Sequence, residues 1–311
     1  EVAPAGDGNM NLVLRVTIDG PADGARTLIA KQSRPWVEKY PQIAAPEQRL
    51  LVEVDFYRAA SRSPAVAARL PDLRHVDPEN MIAAFEDLGA AADYSGIYAG
   101  DPLPAGDESA LLEWLATLHQ VPLAPDDWPV LRNHAMRALN HAHLFVIPLE
   151  PDNGVDLDAV EPGLAKVADA MRREQALRDA VFALGQRYLA DGASLLHGDF
   201  YPGSWLATAD GPRVIDAEFA FFGAPEFDIG VYLGHRLLAG AGLAGGRSSL
   251  ARYTPPPGFE PAVAWRFAGV EVLRRLLGVA QLPLTADLAT RTALLEQARE
   301  LILAGDGVAA A

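Results

Sequence analysis

Three carboxylates and a hydroxyl within residues 195–230 have the types and spacing that phosphoryl transfer requires. His197-Gly198-Asp199 is followed five positions after the aspartate by Ser204, and then by Ile215-Asp216-Ala217-Glu218. Transfer of a phosphoryl group depends mainly on positioning and on neutralising charge. One carboxylate must accept or orient the proton of an attacking hydroxyl, and Asp199 is placed for that on a loop. Others must hold Mg²⁺, which prefers oxygen ligands and keeps several waters. Asp216 and Glu218 are two apart, so in a regular strand they share a face and could hold one or two metal ions. The Ser204 hydroxyl is a neutral oxygen ligand that can help. His197 is expected to brace the loop. Asp228 is expected at a helix start, either as its cap or as a tie between that helix and the Asp199 loop.

The elements that must position these groups are legible from pattern. Between the two motifs, an apolar, turn-punctuated stretch reads as a β-hairpin. Residues 12–18 and 27–32 read as two strands joined by turn chemistry at 19–24. Ahead of them, Gly6-Asp7-Gly8-Asn9 would let backbone N–H groups approach a phosphate, although it also reads as an ordinary turn. Lys31 ends the returning strand. Either it is a surface lysine, or it pairs with the nucleotide's phosphates and with a helix glutamate. Residues 46–60 read as a helix with Leu50, Leu51, Val54 and Tyr57 at helical spacing, and Glu53 on it can meet Lys31. Residues 81–89 read as a strand ending in an acidic turn, where backbone from Glu86 to Leu88 would bind adenine. From about residue 90 the pattern turns helical, including 107–120, two stretches in 157–189, 260–281 and 285–304. Residues 241–258, rich in Gly, Ser and Pro, read as a loop. A β-rich first third before a helical remainder predicts two lobes with a cleft between them, divided as 1–87 and 88–311.

Composition narrows the function. The chain has 311 residues, half of them hydrophobic, enough for one large core or two lobes. Its net charge of −15 argues against a nucleic-acid partner, since phosphate backbones demand a basic face. The absence of cysteine excludes disulfides, thiolate zinc sites and thiol nucleophiles. No apolar run approaches a membrane span and no signal peptide is visible, so a cytoplasmic location is expected. The chain opens at Glu1 without methionine, and further residues are expected before it. Basic residues are 23 Arg and only three Lys, which draws attention to Lys31. His141 and His143, near His134, have no carboxylate close in sequence and are expected to pack.

Together these segments resemble methylthioribose kinase, within the aminoglycoside-phosphotransferase and choline-kinase-like superfamily. The resemblance rests on Gly6-Asp7-Gly8-Asn9 with Asn11, Ile29-Ala30-Lys31-Gln32, Arg49 four before Glu53, and Phe85-Glu86-Asp87-Leu88. It continues through His197-Gly198-Asp199 with Gly203-Ser204, Ile215-Asp216-Ala217-Glu218, and Leu273-Arg274-Arg275 near the end. It implies an α+β, protein-kinase-like two-lobed fold, with ATP and Mg²⁺ as cofactors. It also implies phosphorylation of a primary hydroxyl of a small thiosugar. By position, Asp199 is the catalytic base or orienter, Asp216 and Glu218 bind metal, Lys31 holds phosphates and Glu53 positions Lys31. Gly6, Gly8, Asn9, Glu86, Leu88 and Ser204 serve the nucleotide. Tyr201 lies near the acceptor, and Arg274 and Arg275 face the sugar pocket or the transferring phosphate, the alternative being an exposed helix edge with one Arg in a salt bridge. The sequence departs from the family at Phe200-Tyr201-Pro202, where Leu-His-Thr is typical, and in a shorter span from Asp228 to Arg274. Both departures bear on the acceptor. Another small alcohol, choline-like or aminoglycoside-like, and a nucleotide-binding protein without catalysis are the competing readings. A metal-dependent hydrolase lacks histidine ligands at metal spacing. No membrane partner is expected, and a homodimer is left open.

Overall fold

The computed structural model describes residues 1–5, 10–18 and 26–304. The Gly6-Asp7-Gly8-Asn9 segment, with its three expected phosphate contacts Gly6, Gly8 and Asn9, lies outside the described residues, as does the turn at 19–24. No described helix is long and apolar enough to cross a membrane.

The first lobe is built on an antiparallel sheet in the order β1-β2-β3-β7-β6. Its strands are β1 (Val2–Pro4), β2 (Leu12–Ile18), β3 (Arg26–Gln32), β6 (Leu73–Asp77) and β7 (Ile82–Glu86). A separate ribbon pairs β4 (Trp36–Val37) with β5 (Tyr40–Ala44). Register explains what Lys31 faces. It pairs with Ala83, and Ile29 pairs with Phe85, so all four point to one side of the sheet. Helix α1 (Arg49–Ala60) covers that side. Its Tyr57 ring lies 5.2 Å from that of Phe85.

The second lobe is mainly helical. After the short α2 (Pro64–Ala67) come α3 (Ala105–Leu118), α4 (Trp128–Leu131), α5 (His134–His141), α6 (Leu157–Val160), α7 (Leu164–Arg173) and α8 (Gln175–Leu189). Following the loops of the site are α9 (Glu226–Leu238), α10 (Gly242–Leu250), α11 (Pro261–Leu277) and α12 (Leu288–Ala304). The core of this lobe is the seam between α9 and α11. A Cβ at Gly230 would lie 2.3 Å from Phe267 Cβ, and one at Gly234 would lie 2.9 Å from Glu271 Cβ. The two glycines, one helical turn apart, let the backbones approach closely.

Two expectations are corrected. Residues 242–250 form a helix and not a loop, because tertiary contacts outweigh the low propensity of glycine. Gly246 packs against the Trp265 ring, and Ser249 donates to buried Glu108 Oε1 at 2.5 Å. Asp216 and Glu218 do not share a strand face. Asp216 adopts the left-handed region (φ 71°, ψ 46°), and residues 217–219 form a 3₁₀ turn.

Candidate active site

Two nested antiparallel pairs bring the motif loops together. β8 (Ser194–Leu196) pairs with β11 (Phe221–Gly223), and β9 (Trp205–Thr208) pairs with β10 (Gly211–Val214). The loop holding Asp199 runs from β8 to β9, and the loop holding Asp216 runs from β10 to β11. Each pairing forces these loops to lie side by side. His197 ties them: its Nε2 is 2.9 Å from the Ile215 carbonyl and donates to it. Its Nδ1 is then left to accept the Asp199 N–H at 3.4 Å. Gly198 has φ 85°, and a Cβ there would sit 2.1 Å from the Phe219 carbonyl oxygen, so the loop crossing requires glycine. Phe200 is fully buried and stacks on Trp114 with ring centroids 5.6 Å apart.

Asp228 lies in the first turn of α9, and its carboxylate accepts from the N–H groups of His197 (2.7 Å) and Gly198 (2.9 Å). It ties the helix to the loop and does not cap its own helix. His119 Nε2, 3.1 Å away, also faces Asp228.

Across the cleft, Lys31 Nζ lies 2.7 Å from Glu53 Oε2 and also bonds Asp216 Oδ1. Lys31 and Glu53 are buried, while the Asp216 side chain keeps 45% of its surface open. Glu218 is buried, accepts from Asn11 Nδ2 at 2.8 Å and lies 3.2 Å from Arg49 Nε. Arg49 is fully buried. It donates to Asn11 Oδ1 and to the carbonyls of Met10, Arg34, Trp36 and Pro46. Asn11 and Arg49 belong to the first lobe and Glu218 to the second, so this contact joins the lobes.

The cluster therefore holds three carboxylates against two cations. Burial raises the Glu218 carboxyl to about 8, with neighbouring Asp216 adding to the shift against the pull of Lys31 and Arg49. Burial likewise raises Glu53, partly offset by Lys31. Burial would also raise Asp216, but the attraction of Lys31 outweighs it and leaves this carboxyl below its ordinary range. The all-oxygen donor set suits a hard divalent cation. Among the described residues no three carboxylates or imidazoles converge to hold a metal unaided. Phosphate oxygens and water would complete the shell.

On the other side of Asp199 stand Arg274 and Arg275. Arg274 Nη1 donates to Asp199 Oδ1 at 3.2 Å, and Arg275 Nη2 lies 3.7 Å from the same oxygen. The Tyr201 ring lies 5.0 Å from the Arg275 guanidinium. Ser204 is buried, and its hydroxyl donates to the Asp199 carbonyl at 3.1 Å, which leaves its lone pairs to accept. At the connection between lobes, Glu86 Oε2 accepts from Arg213 Nη2 and from the Asp72 N–H, both at 3.0 Å. Leu88 follows and is half-buried. Arg15 grips Asp87 there with two hydrogen bonds of 2.7 and 3.0 Å. Sequence reasoning missed Arg15; its signal was the one charge inside an apolar strand. His143 is half-buried near Arg274, which joins burial in lowering its pKa.

No protein-family model matches the chain. Methylthioribose kinase of Enterobacter sp. (strain 638) is 30% identical over 263 residues, covering 79% of this chain and 62% of that protein. Methylthioribose kinase of Erwinia tasmaniensis is 28% identical, with 98% of this chain and 88% of that protein covered. The chain thus spans less than two thirds of the Enterobacter protein, 62% of its length. The choline/ethanolamine kinase family protein of Mesorhizobium loti superposes with a TM-score of 0.54 at 16% identity, covering 99% of this chain and 90% of that one. Spectinomycin phosphotransferase APH(9)-Ia, solved with ADP and spectinomycin, gives a TM-score of 0.54 at 13% identity, covering 98% and 92%. The chain has the two-lobed α+β kinase-like fold of these structures, with a β-rich first lobe and a helical second lobe. Its homology to methylthioribose kinase is distant.

Proposed function

We propose that the protein is an ATP- and Mg²⁺-dependent kinase that phosphorylates a hydroxyl of a small neutral sugar, 5-methylthioribose or a close relative. The observation that carries this reading is Asp199, held by Arg274 with Arg275 close to the same oxygen and lying beside a loop whose Asp216 pairs with Lys31. Asp199 takes the proton of the acceptor hydroxyl as its oxygen attacks the γ-phosphorus. The bond from that phosphorus to the β–γ bridging oxygen breaks, and ADP leaves with the electron pair. Lys31, aligned by Glu53, holds the α- and β-phosphates. Asp216 and Glu218 would hold magnesium, with Ser204 as a neutral neighbour, and the ion when bound would supply charge neutralisation at the phosphates. Backbone between Glu86 and Leu88 receives adenine, and Gly6, Gly8 and Asn9 cover the phosphates. Arg274, Arg275 and Tyr201 wall the acceptor side.

The acceptor class follows from charge. Asp199 and Glu271 are matched by Arg274 and Arg275, so among the described residues this group offers no surplus carboxylate to an ammonium group. A choline-like or aminoglycoside acceptor would bring a third cation there. The test is Mg·ATP-dependent ADP release with methylthioribose, ribose, 5-deoxyribose, choline, aminoglycosides and no acceptor. Turnover with neutral sugars is expected. Turnover with choline or an aminoglycoside alone would replace the acceptor assignment. Mg·ATP binding with no turnover on any of them would favour a non-catalytic binder.

A further inference from the structure

Glu271 and His235 were not marked by the sequence patterns, yet both are fully buried beside the acceptor end of the site. Glu271 sits one helical turn before the arginine pair on α11, so all three side chains share a face. Arg275 Nε donates to Glu271 Oε1 at 2.6 Å, and Arg274 Nη1 donates to Oε2 at 3.2 Å. The same Oε1 lies 3.0 Å from His235 Nε2 on α9. His235 Nδ1 in turn lies 2.5 Å from the hydroxyl of Tyr98, which comes from the turn at Ser95–Ala99.

Charge assigns the direction of each bond. Burial would raise the Glu271 carboxyl, but Arg274 and Arg275 outweigh it and hold it well below the usual range, so it accepts only. Burial lowers His235, so the ring is neutral near pH 7. Its Nε2–H therefore donates to Glu271, and its Nδ1 accepts from Tyr98. A rotation of any member would leave a buried polar atom without a partner, which is costly. The chain of contacts runs from Tyr98 through His235 and Glu271 to the guanidinium pair, and from there to Asp199. Among the described residues, buried Arg275 Nη2 has no hydrogen-bond partner, although it faces Asp199 Oδ1.

We infer that Glu271 and His235 are positioning residues, a buried relay anchored by Tyr98 that fixes the Arg274–Arg275 pair against Asp199. As a statement about turnover, this rests on the kinase reading. A simple ion pair would need only Glu271. The relay also recruits a second helix and the entry turn, which ties the acceptor wall to the base.

The experiment compares His235→Leu, His235→Gln, Tyr98→Phe and Glu271→Gln in the full chain. It uses ADP release with the acceptor the wild type turns over, and the ¹H–¹⁵N spectrum of the arginine side chains. His235→Leu is expected to lower kcat by roughly 10-fold or more while leaving the KM for ATP unchanged, the pattern of a misplaced reacting group. His235→Gln keeps a donor toward Glu271 and is expected to recover most of kcat. Tyr98→Phe is expected to show a smaller loss of the same kind. The protected Arg275 Nε–H signal is expected to shift in His235→Leu and in Glu271→Gln. A folded His235→Leu protein with wild-type kcat and an unmoved arginine signal would overturn the inference. If the wild type turns over no acceptor, the kinase reading fails. The arginine signal then decides the relay on its own: a shift supports it, and an unmoved signal overturns it. If Glu271→Gln does not fold, His235→Leu and Tyr98→Phe carry the test.

Discussion

Asp199→Asn is expected to lower turnover by ~10²-fold or more, the scale of losing general-base assistance, while Mg·ATP binding stays close to that of the wild type. The reason lies in the geometry. The carboxylate is held by Arg274 and has Arg275 close by, on a loop fixed by Asp228 and His197. An asparagine keeps the size of the side chain, but its amide cannot take up the hydroxyl proton. The group of Lys31, Glu53 and Asp216, which the proposed mechanism gives to the nucleotide, lies on other elements and is untouched. Single-turnover phosphate transfer together with calorimetric nucleotide titration separates the two effects. Full activity in this variant would remove Asp199 from the role of base.

The largest effect on stability is expected from Arg49→Leu, a loss of about 3–5 kcal/mol, as for a buried pair deprived of one partner. Arg49 is fully buried and carries more of the first lobe's polar bonding than its place in a helix suggests. It satisfies four carbonyls and Asn11, and it compensates Glu218. The leucine leaves those acceptors unpaired and Glu218 without its guanidinium. Urea unfolding measures the loss, and adding Glu218→Leu is expected to recover part of it, because the buried carboxyl that lost its guanidinium partner is then gone. A loss below about 1 kcal/mol, the size of an ordinary exposed ion pair, would show that Arg49 is only loosely coupled to its surroundings.

How much was legible depended on whether the signal was local. Apolar runs on either side of turn residues marked β2 and β3, and helical spacing marked α1, because each signal lies within a short stretch of chain. The tie from Asp228 to the Asp199 loop was legible as one of two roles, and the structure selects it over the cap. Residues 242–250 misled because glycine and serine signal a loop. Their helix is stabilised by Trp265 and Glu108, which are distant in sequence. Asp216 and Glu218 misled because alternation assumes an extended backbone, and a left-handed aspartate breaks it. Arg15, His235 and Glu271 left little or no mark for a different reason. Arg15 meets Asp87 72 positions away, and His235 meets Glu271 36 positions away only because α9 packs on α11. Only the assembled lobe defines what such residues do.

The glycine seam has a consequence for how the molecule opens. Asp228, near the start of α9, holds the two amides at the head of the Asp199 loop, and the same helix lies against α11 without intervening side chains at Gly230 and Gly234. The reactive loop therefore belongs to the cooperative unit of the lobe's core and is not a local appendage. In deuterated water, the His197 and Gly198 amides should exchange as slowly as the centre of α11, and only when the whole lobe unfolds. Rapid exchange at those two amides with α11 still protected would mean that the loop opens alone. On the proposed kinase reading, with the loop locked to the core, adaptation to new acceptors falls to segments that enter the cleft from outside the seam.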